Sequence, residues 1–263
     1  MAVSVADLLT DLDAETAVFD HWIVTLPDEE WTRPTPAAGW TIADQVSHLA
    51  YFDDAAVRSA TDPDAFRAGL DAVVADVDGF TARIAAENRS KSPAELRAWF
   101  TRARADLGAT YATIDPRTRL PWYGPDMSAA SMATARIMET WAHGQDVADA
   151  LRVAHPATAA VRHVAFLGVR TRDFSYATRG LDPPGVDVQV ELTGPLGEVW
   201  TFGAGEAANT VRGPAVDFCL VVTRRRHVDD TALDVQGAHA AQWMSIAQAY
   251  AGPPGSGRSP HEA

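Results

Sequence analysis

Residues 136–151 read RIMETWAHGQDVADAL. Drawn as a helix, this stretch has Ile137, Trp141, Gly144 and Ala148 on one side and, with the preceding Ala135, Ala150 on the other, so no continuous polar stripe is left to face water. A helix that is apolar nearly all round is a buried one. Yet the same helix carries Glu139, His143 and Asp146. Turned by about 100° per residue, these three fall within roughly 60° of one another, as spacings of four and three require. An unpaired carboxylate costs several kcal/mol to bury, so such groups are paired, hydrogen-bonded or bound to a metal.

Working outward, the partners of this helix are legible from period and punctuation. Val5, Leu8, Leu12, Val18, Trp22 and Ile23 recur three or four apart and predict a first helix that ends before Pro27. DEEWTRPTPAAGW is a loop rich in proline and glycine, and it delivers the chain to a second helix from Ile42 towards Ser59. Thr41, with Asp44 three residues on, supplies a capping box for it. A third helix is expected over 65–89, and a fourth from Ser92-Pro93 to about Tyr111, with Ser92 as cap and Pro93 in the first turn. DPRTRLPWYGPDM breaks it, and Ser128 or Ser131 opens the central helix, which runs to about Val153. A further helical stretch ends at Gly180.

Past GLDPPG the period changes from 3.6 to 2. Val186, Val188, Val190 and Leu192 alternate with polar residues, and GPLGEVWTFG follows as a turn and a second strand. AVDFCLVVTRRR suits strand or helix, ALDVQG a short strand, and HAAQWMSIAQAYAG a closing helix that stops at Gly252-Pro253. The expected architecture is α+β: a helical domain over 1–180, a small α+β domain over 181–252, and a disordered tail over 253–263.

Composition narrows the chemistry. A chain of 263 residues, 47% hydrophobic, can bury a sizeable core. Its formal charge of -13 repels nucleic acid and anionic membranes, which leaves a small molecule as the expected partner. The N-terminus lacks the basic flank and apolar core of a signal peptide, and no apolar run approaches the roughly 20 residues of a membrane span, so a soluble cytoplasmic protein is expected. Cys219 is the only cysteine; it lies in an apolar stretch without an activating partner and reads as core.

Glu139 and His143, four apart, form a two-toothed clip for a divalent cation. The same spacing also serves a weak ion pair on an exposed helix, and a single helical histidine is commonly structural. A catalytic zinc takes three protein ligands and keeps one position open. Of the eight histidines, His48 is the best third ligand, since it lies inside the second helix among DQVSHLAYF, with Asp44 and Phe52 at helical spacing as a supporting acid and a wall. His21, His155, His163, His227, His239 and His261 have no comparable partner spacing and read as structural or surface residues.

GWTIADQVSHL (39–49) followed by METWAHGQDVADAL (138–151) resembles the mycothiol-dependent maleylpyruvate isomerase family, related to the DinB-like metal-binding four-helix bundles. The resemblance implies a bundle whose metal ligands map onto His48, Glu139 and His143, with Asp146 orienting a ligand from the outer shell. It also implies a C-terminal domain like the sterol carrier proteins. GPAVDFCLVVTRRR (213–226) and IAQAYAGPPGSGR (246–258) are more similar to a metal-binding subgroup than to the isomerase itself, which leaves the substrate open. From the resemblance, Zn²⁺ or another divalent metal and the thiol mycothiol are the expected cofactors, and Arg224 is the expected arginine of the active site. A pocket for that thiol needs aromatic walls, for which Trp40, Tyr51 and Trp122 are the nearest candidates. Three functions are compatible with these residues: a thiol-dependent isomerase or transferase, a hydrolase using metal-bound hydroxide, and a binding protein with a structural metal.

Overall fold

The computed structural model describes residues 4–74, 79–203 and 208–260. They form two compact units, Met1–Pro156 and Ala157–Ala263.

In the first unit, helix α1 (Val5–Val24) opens on a two-armed capping box between Ser4 and Asp7. It buries Leu8, Leu12, Phe19 and Ile23. A 3-10 turn over Asp28–Thr32 sets Trp31 into the core. Helix α2 (Ile42–Thr61) carries the expected capping box, with Thr41 accepting from the Asp44 amide and Asp44 accepting from that of Thr41. The single helix expected over 65–89 is replaced by α3 (Pro63–Val74) and α4 (Phe80–Asn88). Residues 75–78 between them lie outside the described residues, and Gly79, a poor helix former, precedes α4. Helix α5 (Pro93–Tyr111) begins as read, with Ser92 as cap and proline in the first turn. The breaking segment holds a two-residue antiparallel pair, β1 (Arg119–Leu120) with β2 (Met127–Ser128). It delivers the chain to α6 (Ala129–Leu151), which Ser128 caps.

Helix α6 is buried from Arg136 to Ala148 except at Glu139, which bears out the reading of 136–151 as an enclosed element. Helix α2 packs on α5 and α6, and α1 on α6 and α5. The core includes Phe19, Ile23, Ile42, Val46, Leu49, Phe100 and Val147. Through it runs a buried ionic network that no local spacing announces. Asp53 on α2 accepts from Arg104 Nε on α5 at 2.7 Å and from Arg136 Nε on α6 at 2.9 Å. Arg104 also donates to Thr16 of α1 at 2.5 Å and to Thr140 of α6 at 3.0 Å.

The second unit begins with α7 (Ala160–Arg170) and α8 (Arg172–Ala177). Strands β3 (Gln189–Thr193), β4 (Val199–Phe202), β5 (Thr210–Pro214) and β6 (Asp234–Gln236) form one sheet in the order β4-β3-β5-β6. Only β3 and β5 in it run parallel. Helix α9 (Ala215–Val222) resolves the ambiguous AVDFCLVV as helix: Phe218, Cys219, Val221 and Val222 are buried against their own unit. Helix α10 (Ala238–Ile246) ends short of Gly252-Pro253.

The contact boundary falls after Pro156, earlier than the break expected at 180, because α7 packs on α9 and α8 on α10. The α7 to α9 approach is close: a Cβ on Gly168 would come within 2.7 Å of Val222. The chain is thus α+β, as expected from the switch of period. No helix among the described residues is long and apolar enough to cross a membrane. Of the tail expected to be disordered, 261–263 lie outside the described residues.

Candidate metal centre

Helices α2 and α6 bring together, inside the first unit, three side chains that could hold a metal ion. His48 sits on the buried face of α2, and α6 presents Glu139 and His143 one turn apart. Glu139 Oε2 lies 3.1 Å from His143 Nε2 and 3.6 Å from His48 Nε2. One ligand atom from each of the three falls within 4.8 Å of the others. Ligands about 2.0–2.2 Å from a tetrahedral zinc would stand roughly 3.3–3.6 Å apart, so the two separations from Glu139 lie close to that spacing. Both histidines are 8% exposed and the Glu139 side chain is 20% exposed, which leaves access through the carboxylate side.

The donors are prepared for a cation. Burial, reinforced by the charge of His143, lowers His48 from the usual 6.5 to about 4, so its imidazole is neutral at physiological pH. Burial pushes the Glu139 carboxyl up, but hydrogen bonds from His143 and His48 outweigh it and hold the group well below the usual carboxylate range. His48 Nδ1 is buried with no hydrogen-bond partner among the described residues. Two imidazoles, one carboxylate and an orphaned buried nitrogen fit a divalent ion better than a closed hydrogen-bonded core.

The support of His143 comes from a residue that sequence reasoning missed. Nδ1 of His143 contacts Oε1 of Gln45, and since an amide oxygen only accepts, Nδ1 is the donor there, which fixes the ring with Nε2 toward Glu139. Gln45 Nε2 donates to Thr35 Oγ1 at 2.9 Å, and Thr35 Oγ1 donates to the Trp40 carbonyl at 3.0 Å. The loop that anchors Gln45 therefore ends on Trp40, whose ring centre lies 5.2 Å from that of His48 and 5.9 Å from that of His143. Gln45, His48 and Phe52 share one stripe of α2 at helical spacing, and that was the signal available. Phe52 is the expected wall, 4.5 Å from the His48 ring. Asp44 is not the supporting acid expected beside His48: its oxygens accept from the Thr41 cap and from Arg89 at 3.1 Å.

The other predicted site residues are placed as follows. Tyr51 stacks edge-on to Phe52, and Trp122 lies flat on Phe66 and tilted against Phe52, one ring removed from His48. Asp146 is buried on α6, outside the cluster of three ligands. Arg224, in the second unit, follows α9 in the left-handed region (φ +61°) and donates to the carbonyls of Gly255 and Ala247. Cys219 is core, as read: its thiol donates to the Val161 carbonyl, and burial pushes it well above the ordinary thiol range. Of the remaining histidines, His155 pairs with buried Glu15 at 3.0 Å and His227 with Asp229 at 3.3 Å. His261 lies outside the described residues.

Residues 12–148 match the profile of the mycothiol maleylpyruvate isomerase N-terminal domain. An uncharacterized protein of Mycobacterium tuberculosis strain CDC 1551 / Oshkosh is 46% identical over 250 residues, which cover 95% of this chain and 97% of that protein. An uncharacterized protein of strain H37Rv matches to the same extent. Two crystal structures of the mycothiol-dependent maleylpyruvate isomerase share the fold. A mutant with histidine changed to alanine superposes with a TM-score of 0.59 at 16% identity, covering 86% of this chain and 91% of that one. A second structure gives 0.57 at 14%, covering 85% and 90%.

Proposed function

The chain belongs to the family defined by the mycothiol maleylpyruvate isomerase N-terminal domain, and from that premise we propose that it is a metal-dependent enzyme using mycothiol for isomerisation or S-transfer on a small electrophilic substrate. The observation that carries this reading is the convergence of His48, Glu139 and His143 in a partly open, otherwise buried cluster. Zn²⁺ is the ion assigned to it, on the chemistry of two imidazoles and one carboxylate. When bound, such an ion lowers the pKa of a thiol or water, so that a nucleophile exists at neutral pH.

The chain's own residues do the rest. His48 and His143 would offer their Nε2 nitrogens, and Gln45 accepts from Nδ1 of His143 on the far side of the ring. Glu139 supplies the negative charge. Trp40 covers both imidazoles and excludes water from that side. No thiol of the chain can serve, since the only cysteine is buried in the second unit, so the nucleophile is external. Trp40, Tyr51 and Trp122 are assigned to walls for it, and Asp146 to the outer shell of the ligands. Arg224 is assigned to an anionic group of substrate or cofactor, which its planar fork suits.

Elemental analysis of purified protein should find one divalent ion per chain, lost in His48→Ala, Glu139→Ala and His143→Ala. Retention in all three would overturn the ligand set. Calorimetry should show mycothiol binding to the metal-loaded protein and none to His48→Ala. Metal without mycothiol binding, together with ester or amide hydrolysis, would replace this reading with the hydrolase. Arg224→Lys should keep its metal and raise KM or lower kcat; unchanged kinetics would remove Arg224 from the site.

A further inference from the structure

Beyond the metal cluster, the stripe of α2 that carries His48 continues through Tyr51, Asp54 and Arg58, at spacings of three to four that keep them on one side. There they line a cavity of about 460 Å³, closed by Phe66 and Gly69 of α3, Trp99 of α5 and Tyr123 from the segment after β1. That volume is within the range of small-molecule sites. With a rise of 1.5 Å per residue, the middle of the cavity lies roughly 10 Å along α2 from His48.

The lining has a definite chemistry. Phe66, Tyr123 and Trp99 supply aromatic surface, with the Phe66 and Tyr123 ring centres 5.2 Å apart. Tyr51 and Tyr123 both line the cavity, and burial pushes the Tyr123 phenol up, so it stays protonated at physiological pH. Two charges reach the cavity. Asp54 is already engaged, accepting from Trp99 Nε1 at 2.6 Å, while the Lys91 ammonium sits 5.8 Å from the centre of the Trp99 ring. Arg58 enters no ion pair among the described residues. Asp54 keeps its charge but is oriented by Trp99, so Arg58 is the charged side chain of the lining left to pair with a ligand, beside aromatic walls.

We propose that this cavity binds a small molecule joining an aromatic ring to a carboxylate, the ring among Phe66, Trp99 and Tyr123 and the carboxylate on Arg58. As the place where the electrophile of the proposed reaction is recognised, it rests on the metal- and thiol-dependent reading; as a binding site it stands alone.

Gly69 provides a clean block. It is helical and exposed, and a Cβ built on it meets nothing within 4 Å, so Gly69→Leu fills the cavity while favouring the helix. Phenylpropionate, titrated into the full-length metal-loaded protein, should bind saturably and change the tryptophan fluorescence, since Trp99 lines the site. Propionate, which lacks the ring, and phenylpropanol, which lacks the charge, should bind more weakly. Gly69→Leu should abolish binding. Arg58→Gln should weaken the acid roughly fivefold, the scale of a partly exposed ion pair, and leave the alcohol unchanged. Both variants should keep the metal content of the wild type. Absence of phenylpropionate binding, or equal binding to Gly69→Leu, overturns the site. Equal binding of acid and alcohol overturns the role of Arg58 and with it the carboxylate. His48→Ala separates the two readings: phenylpropionate binding retained after metal is lost supports the site independently of the metal. A wild type that binds the probe yet holds no metal would sink the metal reading and leave the site standing.

Discussion

His48 is the residue on which chemistry and folding pull against each other. Its imidazole is held neutral to about pH 4, against an ordinary 6.5, which suits a ligand but costs stability in acid. In the metal-free protein the unfolded chain takes up this proton below about pH 6.5 and the folded chain refuses it until about 4, so stability falls as the pH drops through that window. The depressed Glu139 carboxyl acts lower, its contribution being lost only below the usual 4.5. Between pH 6.5 and 4.5 the histidine effect stands apart from that of its acid partner. Urea unfolding of metal-free protein at pH 7 and pH 5 should therefore show a larger loss for the wild type than for His48→Gln; parallel losses would contradict it. Gln45 gives a second test at this scale. Removing its amide in Gln45→Leu frees the His143 ring to turn and exchange tautomers, and outer partners of this kind are worth about 10–100-fold in metal affinity. Competition with a chelator should show that loss, with the thermal midpoint nearly unchanged. Undiminished affinity would leave Gln45 as mere packing.

At the scale of elements, the proposed metal site needs α2 and α6 in fixed register, since His48 comes from one and Glu139 and His143 from the other. Hydrophobic contact between the helices is non-directional and does not set register by itself. The Asp53 bridge to Arg104 and Arg136 does, because charge-assisted hydrogen bonds fix both distance and direction. Asp53 is 0% exposed, and Asp53→Ala would leave two arginines buried without their counter-ion, a loss of about 3–5 kcal/mol. Chemical denaturation should show a loss of that order, and metal affinity should fall with it although no ligand is touched. A stability change below about 1 kcal/mol would mean that the arginines find other partners.

At the scale of the whole molecule, the three ligands, Gln45 with its loop, Trp40 and the ionic network all belong to the unit Met1–Pro156. A fragment ending at Pro156 should therefore fold and bind one divalent ion with the affinity of the full chain. Catalysis is expected to fail in it if Arg224 has the role assigned above. A fragment that folds, as judged by circular dichroism, yet takes up no metal would show that the second unit completes the site.

Most of the helices in the first unit, their caps and the switch from 3.6 to 2 were determined by the sequence itself, because capping boxes such as Thr41 with Asp44 and the alternation of Val188, Val190 and Leu192 act over a few residues. The clip of Glu139 and His143 was legible for the same reason, one helical turn apart. Only the tertiary structure decided the rest. It joined His48 to that clip and gave Gln45 the orienting role, while diverting Asp44 to Thr41 and Arg89. It made AVDFCLVV a helix because α7 and the sheet cover it, and it drew the unit boundary at Pro156 because α7 and α8 find their partners further along the chain. The physical reason is common to all of these. Local hydrogen bonds and periodicity are set by neighbours in sequence, whereas burial, and with it which polar groups must find partners, is set by elements that meet only once the chain has folded.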